Sequence, residues 1–380
     1  MTKSTKNELL SVIKARYLKT KKRAEKTAIL DEFCKSTGFN RLYVIRIMRA
    51  GHEYASPSSH KRHRRYSSGF FTTVIKLWEL LEFPCGTRLQ PQLVPLAEAL
   101  VRAKEISLSE EEWKQLRSVS AKTLDRRLKR EREMRHLARN RGMTRHGSLV
   151  KSAIPIRITN WDAQEIGFME MDTVAHNGGD PSGTFIYTLD MVEIATGWSE
   201  QMAALGKNEE AIVDAVDQIK NDLPFALSGV DSDSGSEFVN WHMVRYCEKE
   251  NLFFTRSRPD RKNDNAYVEQ KNYTHVRNWM GYGRYDTEAQ RDLMNDLYRK
   301  ELRLFNNFFR PVMKILKKEK VNNSVCKKTY GAALTPYQRL MQAKDIPPEM
   351  KDTLRKLYES LNPVKLKAAI VAKLKRIRES

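Results

Sequence analysis

The chain has 380 residues, of which 40% are hydrophobic and 30% charged, with 68 Lys and Arg against 47 Asp and Glu and a formal net charge of +21. This composition excludes a collagen-like or wholly disordered chain, the length favours two to four domains, and no run reaches the roughly 18 apolar residues of a membrane-spanning helix. We therefore expect a soluble cytoplasmic protein whose basic surface binds a polyanion, with nucleic acid as the natural candidate.

Residues 1–55 have the apolar spacing of three short helices. Gly38 marks a turn, and Asn40 can cap the third helix. The residues of that helix predicted to face inward are Leu42, Ile45 and Met48. The order is typical of a helix-turn-helix domain, which makes Arg41 and Arg46 candidate DNA contacts, because the helix after the turn enters the major groove. An ordinary three-helix packing unit would show the same spacing.

Residues 56–67 are rich in Ser and basic side chains, which is typical of a linker. A second helical region, 68–150, contains a helix that Ser120 can cap and that Leu124 and Leu128 can bury. Its outward basic residues, the candidates for DNA contact, are Lys122, Arg126 and Arg127. A merely solvated basic helix is the alternative interpretation.

From residue 166 the hydrophobic period changes to two. The predicted strands, each bounded by turn residues, are 166–174, 184–192, 197–205, 227–230 and 252–255. The predicted helices between and after them are 208–221, 237–250 and 266–280. This alternation indicates an α/β domain.

The charge is divided unevenly along the chain. Residues 1–150 carry a net +18, residues 151–274 carry −10, and residues 275–380 carry +13. Two basic flanks around an acidic centre suggest arms that hold a polyanion and a middle with a different task, although a solvated basic surface is the alternative.

Three acidic residues stand where predicted strands end or helices begin, at the edge of the sheet where α/β proteins build their sites: Asp172, Asp233 and Glu269. Carboxylates would repel DNA phosphates unless a divalent cation lies between them. Their hard oxygen ligands suit Mg²⁺ or Mn²⁺, and two ions roughly 3.5 to 4 Å apart can support an in-line displacement at phosphorus. The acidic centre is therefore predicted to carry out phosphoryl transfer on DNA.

These residues carry a family resemblance. The sequence resembles bacterial insertion-sequence transposases with a retroviral-integrase-type catalytic core, in which an Asp on the first strand precedes a D-x-G-x-E-F segment, and a Glu follows the Asp of that segment after 35 intervening residues. Here 35 residues separate Asp233, in DSGSEF, from Glu269. Asp231 would leave 37 and is the second choice. Asp190 matches a recurrent family Asp that is not a metal ligand.

The resemblance implies a multidomain fold: all-α helix-turn-helix N-terminal domains, an α/β ribonuclease-H-like catalytic core over 160–285, and a basic C-terminal region over 286–380. It also implies a DDE transposase that uses Mg²⁺ or Mn²⁺, with two ions held by the three carboxylates, to cleave DNA and transfer strands. The expected partners are double-stranded DNA, at element ends and at the target, and further copies of the chain in a homodimer or larger homo-oligomer. Such a protein would act in the cytoplasm of a bacterium, at the nucleoid.

Four residues near the end of the core could also contact DNA. By resemblance Lys262 and Asn263 approach the DNA end, with a solvated loop as the alternative, and Lys271 and Arg277 could contact phosphates. Two competing functions stay open: a catalytically inactive sequence-specific DNA-binding regulator, and a nuclease that does not join strands.

Several other residues receive simpler interpretations. His176 and His242 are predicted to be polar surface groups. The aromatic and basic residues of 306–314 and 334–340 suit contact with a DNA backbone. In the tail, Ile370, Leu374 and Ile377 form one apolar stripe of a basic helix, which is expected to dock on protein or DNA.

Overall fold

The computed structural model describes residues 3–49, 66, 68–135, 165–232, 238, 240–256, 268, 271–320 and 326–380. The chain divides into two compact units, Met1–Arg65 and Tyr66–Ser380. Within the described ranges, none of the helices has the length and apolarity required to cross a bilayer.

The first unit is a three-helix bundle. Its helices are α1 (Lys3–Lys19), α2 (Arg23–Thr37) and α3 (Arg41–Arg49). Gly38 ends α2 in the left-handed conformation, at φ 71°, and the Asn40 side chain caps α3 by accepting the Leu42 amide at 2.9 Å. The predicted turn and cap are therefore confirmed.

The inward face of α3 differs from the prediction. Leu42 is 77% exposed, whereas Val44 and Met48 are fully buried against α1 and α2. The spacing could not fix this face, because apolar residues occupy most positions of a nine-residue helix and more than one rotation satisfies them.

The second unit begins with a group of helices. They are α4 (Ser68–Leu80), α5 (Gly86–Leu89), a 3₁₀ turn (Gln90–Gln92), α6 (Leu93–Arg102), α7 (Glu110–Ser118) and α8 (Ala121–Met134). Ser120 caps α8 by accepting the Thr123 amide, and Leu124 and Leu128 are buried, so both predictions for this helix are confirmed.

A mixed five-stranded sheet follows. Its strands are β1 (Phe168–Ala175), β2 (Ile186–Glu193), β3 (Ser199–Leu205), β4 (Gly229–Ser232) and β5 (Phe253–Arg256). They lie in the order β3-β2-β1-β4-β5, with β1, β2 and β3 antiparallel and β4 and β5 parallel to β1. All five predicted strands are confirmed, and the sheet with its helices confirms the predicted α/β domain.

The two faces of the sheet differ in polarity because successive side chains alternate between them. Two helices, α9 (Glu209–Asp222) and α10 (Trp241–Lys249), cover the apolar face, where Met169 and Met171 of β1 are fully buried. The intervening residues of β1, Glu170 and Asp172, belong to the opposite face, which is rich in polar side chains.

The last helices and strands of the chain come after the sheet in the sequence. Helix α11 consists of π-helical turns Asn272–Arg277 and the segment Asn278–Met280, and α12 runs from Glu288–Leu297 through π-helical Tyr298–Leu302 to Arg303–Phe309. The remaining elements are β6 (Ile315–Lys320), β7 (Cys326–Tyr330), α13 (Pro336–Gln342), α14 (Pro348–Ser360) and α15 (Pro363–Glu379).

One hydrophobic core joins most of the second unit. It contains Trp78 of α4, Leu124 of α8, Trp198 at the start of β3, Phe305 of α12 and Ile370 of α15. The predicted apolar stripe of α15 is buried in it, which confirms docking on protein. The segments 68–150, 160–285 and 286–380, which the sequence suggests as separate regions, thus contribute described residues to one compact unit.

The aromatic residues expected to contact DNA belong to this core. Phe308 and Phe309 are buried in α12, and the ring centroid of Phe308 lies 5.0 Å from that of Tyr337 in a stacked pair. The DNA-backbone interpretation of these aromatics was therefore wrong. Alternating aromatic and basic residues are as compatible with an amphipathic core element as with a DNA surface.

Candidate active site

Asp172 lies on β1 and is half-buried beside α11. Its Oδ1 accepts the Thr173 amide at 2.8 Å, and its Oδ2 accepts the Asn272 side-chain amide at 2.6 Å. The carboxylate is thus oriented by its own strand and by the first turn of α11. Sequence analysis missed Asn272, although its position three residues after Glu269 in a predicted helix places both on nearby parts of one face.

Asp233 and Glu269 lie outside the described residues, but the chain next to each is described. Ser232 is the last residue of β4 and pairs in register with Met171 of β1. The amide of Val268 donates to Glu170 Oε2 at 3.0 Å. Both segments therefore meet β1 within two residues of Asp172.

Two further carboxylates lie inside the sheet. Glu170 and Asp231 are fully buried and occupy paired positions on β1 and β4. Asp231, the second choice for the catalytic series, accepts a hydrogen bond from the Thr255 hydroxyl of β5. Asp231 is therefore hydrogen-bonded to a neighbouring strand of the sheet.

A polar layer of five buried side chains connects α11 to β2 and β3: Asp190, Ser199, Gln201, Lys271 and His275. Gln201 donates to Asp190 at 2.8 Å, His275 Nδ1 lies 2.8 Å from Ser199 Oγ, and Lys271 Nζ lies 3.2 Å from His275 Nε2. Burial raises the pKa of Asp190 to about 7 and lowers the pKa of Lys271 to about 7. The layer therefore holds α11 on the sheet through groups whose charged forms are disfavoured.

Of the two residues predicted to contact phosphates, Lys271 is buried and Arg277 is partly buried. Lys271 is only 8% exposed and belongs to the polar layer. Arg277 donates to the Ala175 carbonyl at 2.7 Å and to the Gly281 carbonyl at 3.4 Å. Both cations tie α11 to its surroundings, because the helix packs on a polar sheet face that local sequence does not reveal. Lys262 and Asn263 lie outside the described residues.

The prediction of a polar surface group is wrong for His176 and agrees with the structure for His242. His176 is completely buried, with Nε2 2.8 Å from the Thr188 hydroxyl, and burial, reinforced by the charge of Arg277, lowers its pKa to about 3. His242 is partly exposed, 3.6 Å from Glu209, as expected of a polar surface group. A polar partner supplied by a neighbouring strand gives no signal in the sequence around His176.

The other candidate DNA contacts lie on helix surfaces. Arg41 forms an ion pair with Asp31, and the Arg46 guanidinium lies 5.3 Å from the Tyr43 ring centroid. On α8 the predicted basic residues are all exposed: Lys122, Arg126 and Arg127. These side chains are available at the surface in a way that Lys271 is not.

Among the residues that the structure describes, no group of three or more His, Cys, Asp or Glu side chains is arranged to hold a metal ion. Two of the three predicted ligands stand outside that set. Asp172 is thus the one member of the predicted triad whose surroundings are described.

No protein-family model matches the sequence. A relative, the uncharacterized protein y4rM of Sinorhizobium fredii (strain NBRC 101917 / NGR234), is 36% identical over 339 residues, which is 88% of this chain and 95% of the relative. The chain belongs to the y4rM family.

Two solved structures resemble this y4rM-family chain. The catalytic core domain of BIV integrase has a TM-score of 0.28 and 13% identity, covering 45% of this chain and 91% of its own. The HTLV-2 integrase catalytic core domain, solved with magnesium as a dimer, has a TM-score of 0.28 and 12% identity, covering 38% and 88% respectively.

Proposed function

We propose that this y4rM-family protein is a DDE transposase, which binds the terminal repeats of a transposable element, cleaves the DNA there and joins the ends to a target. The observation that carries the proposal is the setting of Asp172: a half-buried carboxylate on the central strand, hydrogen-bonded at 2.6 Å by the first turn of α11. In the insertion-sequence transposases that the sequence resembles, the first Asp lies on the first strand and the Glu lies on a helix, and the proposal places those two elements together here.

The register of the sheet supports Asp233 as the second carboxylate. Ser232 is paired with Met171 on parallel strands, and adjacent strands lie about 4.8 Å apart. Asp172 and Asp233 are the residues that follow Met171 and Ser232 in the sequence, which supports a site shared by the two carboxylates. Asp231, two residues earlier and buried beneath Thr255, fits this role less well.

The contacts of α11 support Glu269 as the third carboxylate. Val268, the residue before it, is bonded to Glu170, and Asn272, three residues after it, is bonded to Asp172. Both bonded positions are within three residues of Glu269 in the sequence and reach alternate residues of β1.

The donor set suits a hard divalent cation. Asp172, Asp233 and Glu269 would hold Mg²⁺ or Mn²⁺ through carboxylate oxygens, the ligands that such ions prefer. When bound, two such ions supply activation of the attacking oxygen and stabilisation of the leaving oxygen at phosphorus.

The chain itself supplies position and charge. Asn272 orients Asp172, the polar layer fixes α11 on the sheet, and the exposed cations of α8 attract the DNA backbone. A water oxygen would first replace the 3′ oxygen at the scissile phosphorus, and the 3′ hydroxyl thus released would then replace the 3′ oxygen of a target phosphodiester. Neither step requires a covalent bond to the protein.

Both ends of an element must be held together during joining. We therefore extend the proposal to a homodimer or larger homo-oligomer acting on double-stranded DNA in the bacterial cytoplasm, at the nucleoid. The helix-turn-helix interpretation of α1 to α3 belongs to the same proposal, with Arg41 and Arg46 at the major groove.

The decisive experiment incubates the protein and Mg²⁺ with labelled DNA from the element end and a plasmid target. Joined products are expected from the wild type, and Asp172→Asn should abolish them while leaving DNA binding largely intact, since one carboxylate is lost and the side chain keeps its size. Asp214→Asn is the matched control, because Asp214 is an exposed carboxylate on α9, across the sheet. Cleavage without joining would indicate a nuclease, and binding without cleavage a regulator.

A further inference from the structure

The loop between α11 and α12 displays an aromatic ring that the proposed chemistry does not use. Tyr282 is 61% exposed, although its neighbours Met280 and Tyr285 are buried. A single exposed tyrosine is ordinary on a protein surface. The way in which this one is held is what distinguishes it.

The loop around Tyr282 is fixed at both ends. The Gly281 amide donates to the Arg277 carbonyl at 2.8 Å, and Gly281 has φ 75°, a backbone conformation that glycine adopts without strain. On the other side, the Tyr285 amide donates to the His176 carbonyl at 3.0 Å, and the Tyr285 hydroxyl donates to the Met280 carbonyl at 2.8 Å. The exposed ring therefore stands on a short, hydrogen-bonded turn.

Arg277 supports one face of this ring. Its guanidinium carbon lies 4.9 Å from the Tyr282 ring centroid, while its Nη2 is bonded to the Ala175 carbonyl at 2.7 Å. The cation is anchored to β1 and stacks against the tyrosine, so the ring is oriented before any ligand arrives. The rest of the ring is exposed to solvent.

Arg277 also joins the ring to the strand of the proposed site. Ala175, which anchors Arg277, is three residues beyond Asp172 on β1, and three strand residues span about 10 Å. Arg277 therefore connects the Tyr282 ring to the strand that carries Asp172.

We propose that Tyr282 is a stacking platform for an unpaired or terminal nucleobase of the bound DNA end. The chemistry that recognises such a base is an oriented, exposed aromatic ring backed by a cation, on a chain of net charge +21. The assignment of the bound nucleic acid as a DNA end rests on the proposed function; the stacking surface rests on the loop geometry alone. Stacking on an aromatic face tolerates any base, so Tyr282 positions the end without selecting its sequence.

The test uses full-length protein, EDTA to prevent cleavage, and a duplex with a three-nucleotide 3′ overhang carrying one 2-aminopurine at each overhang position in turn. Wild-type protein is expected to quench the fluorescence of at least one position and to bind the overhang duplex more tightly than the blunt duplex. Tyr282→Leu should remove that quenching and weaken overhang binding about tenfold, with blunt binding unchanged. Tyr282→Phe should retain both effects.

Trp241→Leu is the matched control, because Trp241 is 58% exposed on α10, across the sheet. The proposal is overturned if Tyr282→Leu quenches and binds the overhang as the wild type does while its thermal midpoint is unchanged. It is also overturned if Trp241→Leu has the same effect as Tyr282→Leu. The stacking assay contains no metal and measures no chemistry. A failure of strand joining in the Mg²⁺ assay would therefore refute the transposase function without affecting the stacking result. A failure of stacking would likewise leave the strand-joining result unaffected.

Discussion

Side chains that ionise in water are packed beneath α11 where water does not reach them. Asp190, Lys271 and His275 lie in the polar layer, and His176 lies beside it at the end of β1. Burial lowers the pKa of both histidines, and the nearby cations Lys271 and Arg277 act in the same direction. The folded protein therefore keeps these imidazoles neutral.

This neutrality predicts acid sensitivity. An unfolded histidine takes up a proton near pH 6.5, whereas His176 does so at about pH 3. The unfolded state consequently binds more protons at this position between these values, so the contribution of His176 to stability is constant above pH 6.5 and falls as the pH drops below it. The loss is up to about 1.4 kcal/mol per pH unit for each such histidine.

The measurement is the thermal midpoint between pH 4 and pH 8. His176→Gln should reduce the slope below pH 6.5, even if its absolute midpoint is lower because the contact with Thr188 has changed. His242→Gln is the control, since that imidazole is partly exposed. Equal slopes in wild type and His176→Gln would contradict the prediction.

Some single residues could be placed from the sequence and others could not. The position of Asp172 on a strand could be predicted, because its apolar neighbours alternate with the correct period. The burial of His176 and Lys271 could not, because their partners Thr188 and His275 matter only once β2 and α11 pack against β1. Polar residues on a buried sheet face have the same local signature as polar residues in water.

At the scale of elements, periodicity succeeded where the apolar stripe was narrow. In α8 the few apolar residues fit one face, and Leu124 and Leu128 are buried as expected. In α3 the apolar residues are too numerous to define one face, and Leu42 was assigned wrongly. The buried face of a helix could thus be predicted where one face is apolar and the other polar.

The docking of α15 makes a direct prediction about stability. Ile370 is fully buried in the core, so Ile370→Ala should destabilise the second unit by about 2 to 5 kcal/mol through lost burial and the cavity left behind. The adjacent Val371 is 56% exposed, so Val371→Ala should change stability by less than about 0.5 kcal/mol. Urea denaturation of both variants measures the difference, and equal midpoints would mean that α15 does not dock as described.

The exposed face of α8 makes a prediction about DNA binding. Lys122→Ala and Arg126→Ala should weaken binding to all duplex sequences alike and each lower the slope of log affinity against log salt by about one. Lys114→Ala, an exposed lysine of α7, is the control. Titrations at several salt concentrations decide the matter, and a sequence-dependent loss would indicate base contacts instead of phosphate contacts.

At the scale of the whole molecule, segments that differ in composition share one interior. The helices α4 to α8, part of the sheet at β2 and β3, and the C-terminal helices meet in one hydrophobic core, while α9 and α10 cover the other face of the sheet in a second. Composition and charge divided 68–150 from 286–380, but neither property records which apolar faces meet. Such contacts join residues that are far apart in the sequence, and a single sequence does not show which of them pack together.

A common core predicts cooperative unfolding of the second unit. Trp78, Trp198 and Trp279 report on α4, the sheet and α11, and all three are buried. Variants that each keep only one of these tryptophans, with the other tryptophans of the chain replaced by Phe, should give one shared denaturation midpoint after correction for the substitutions' own effect. Separate midpoints for the Trp78 and Trp198 signals would show independent domains.

The burial of α15 against α4 and α6 has a consequence during translation. Apolar surface on α4 and α6 is made early, but the side chains that complete its cover, such as Ile370 and Ile377, emerge from the ribosome nearly 300 residues later. At roughly 5 to 20 residues per second, this surface waits tens of seconds for its partner. The nascent chain is therefore expected to need chaperones over that interval, and the finished protein to assemble only after synthesis of its last helix.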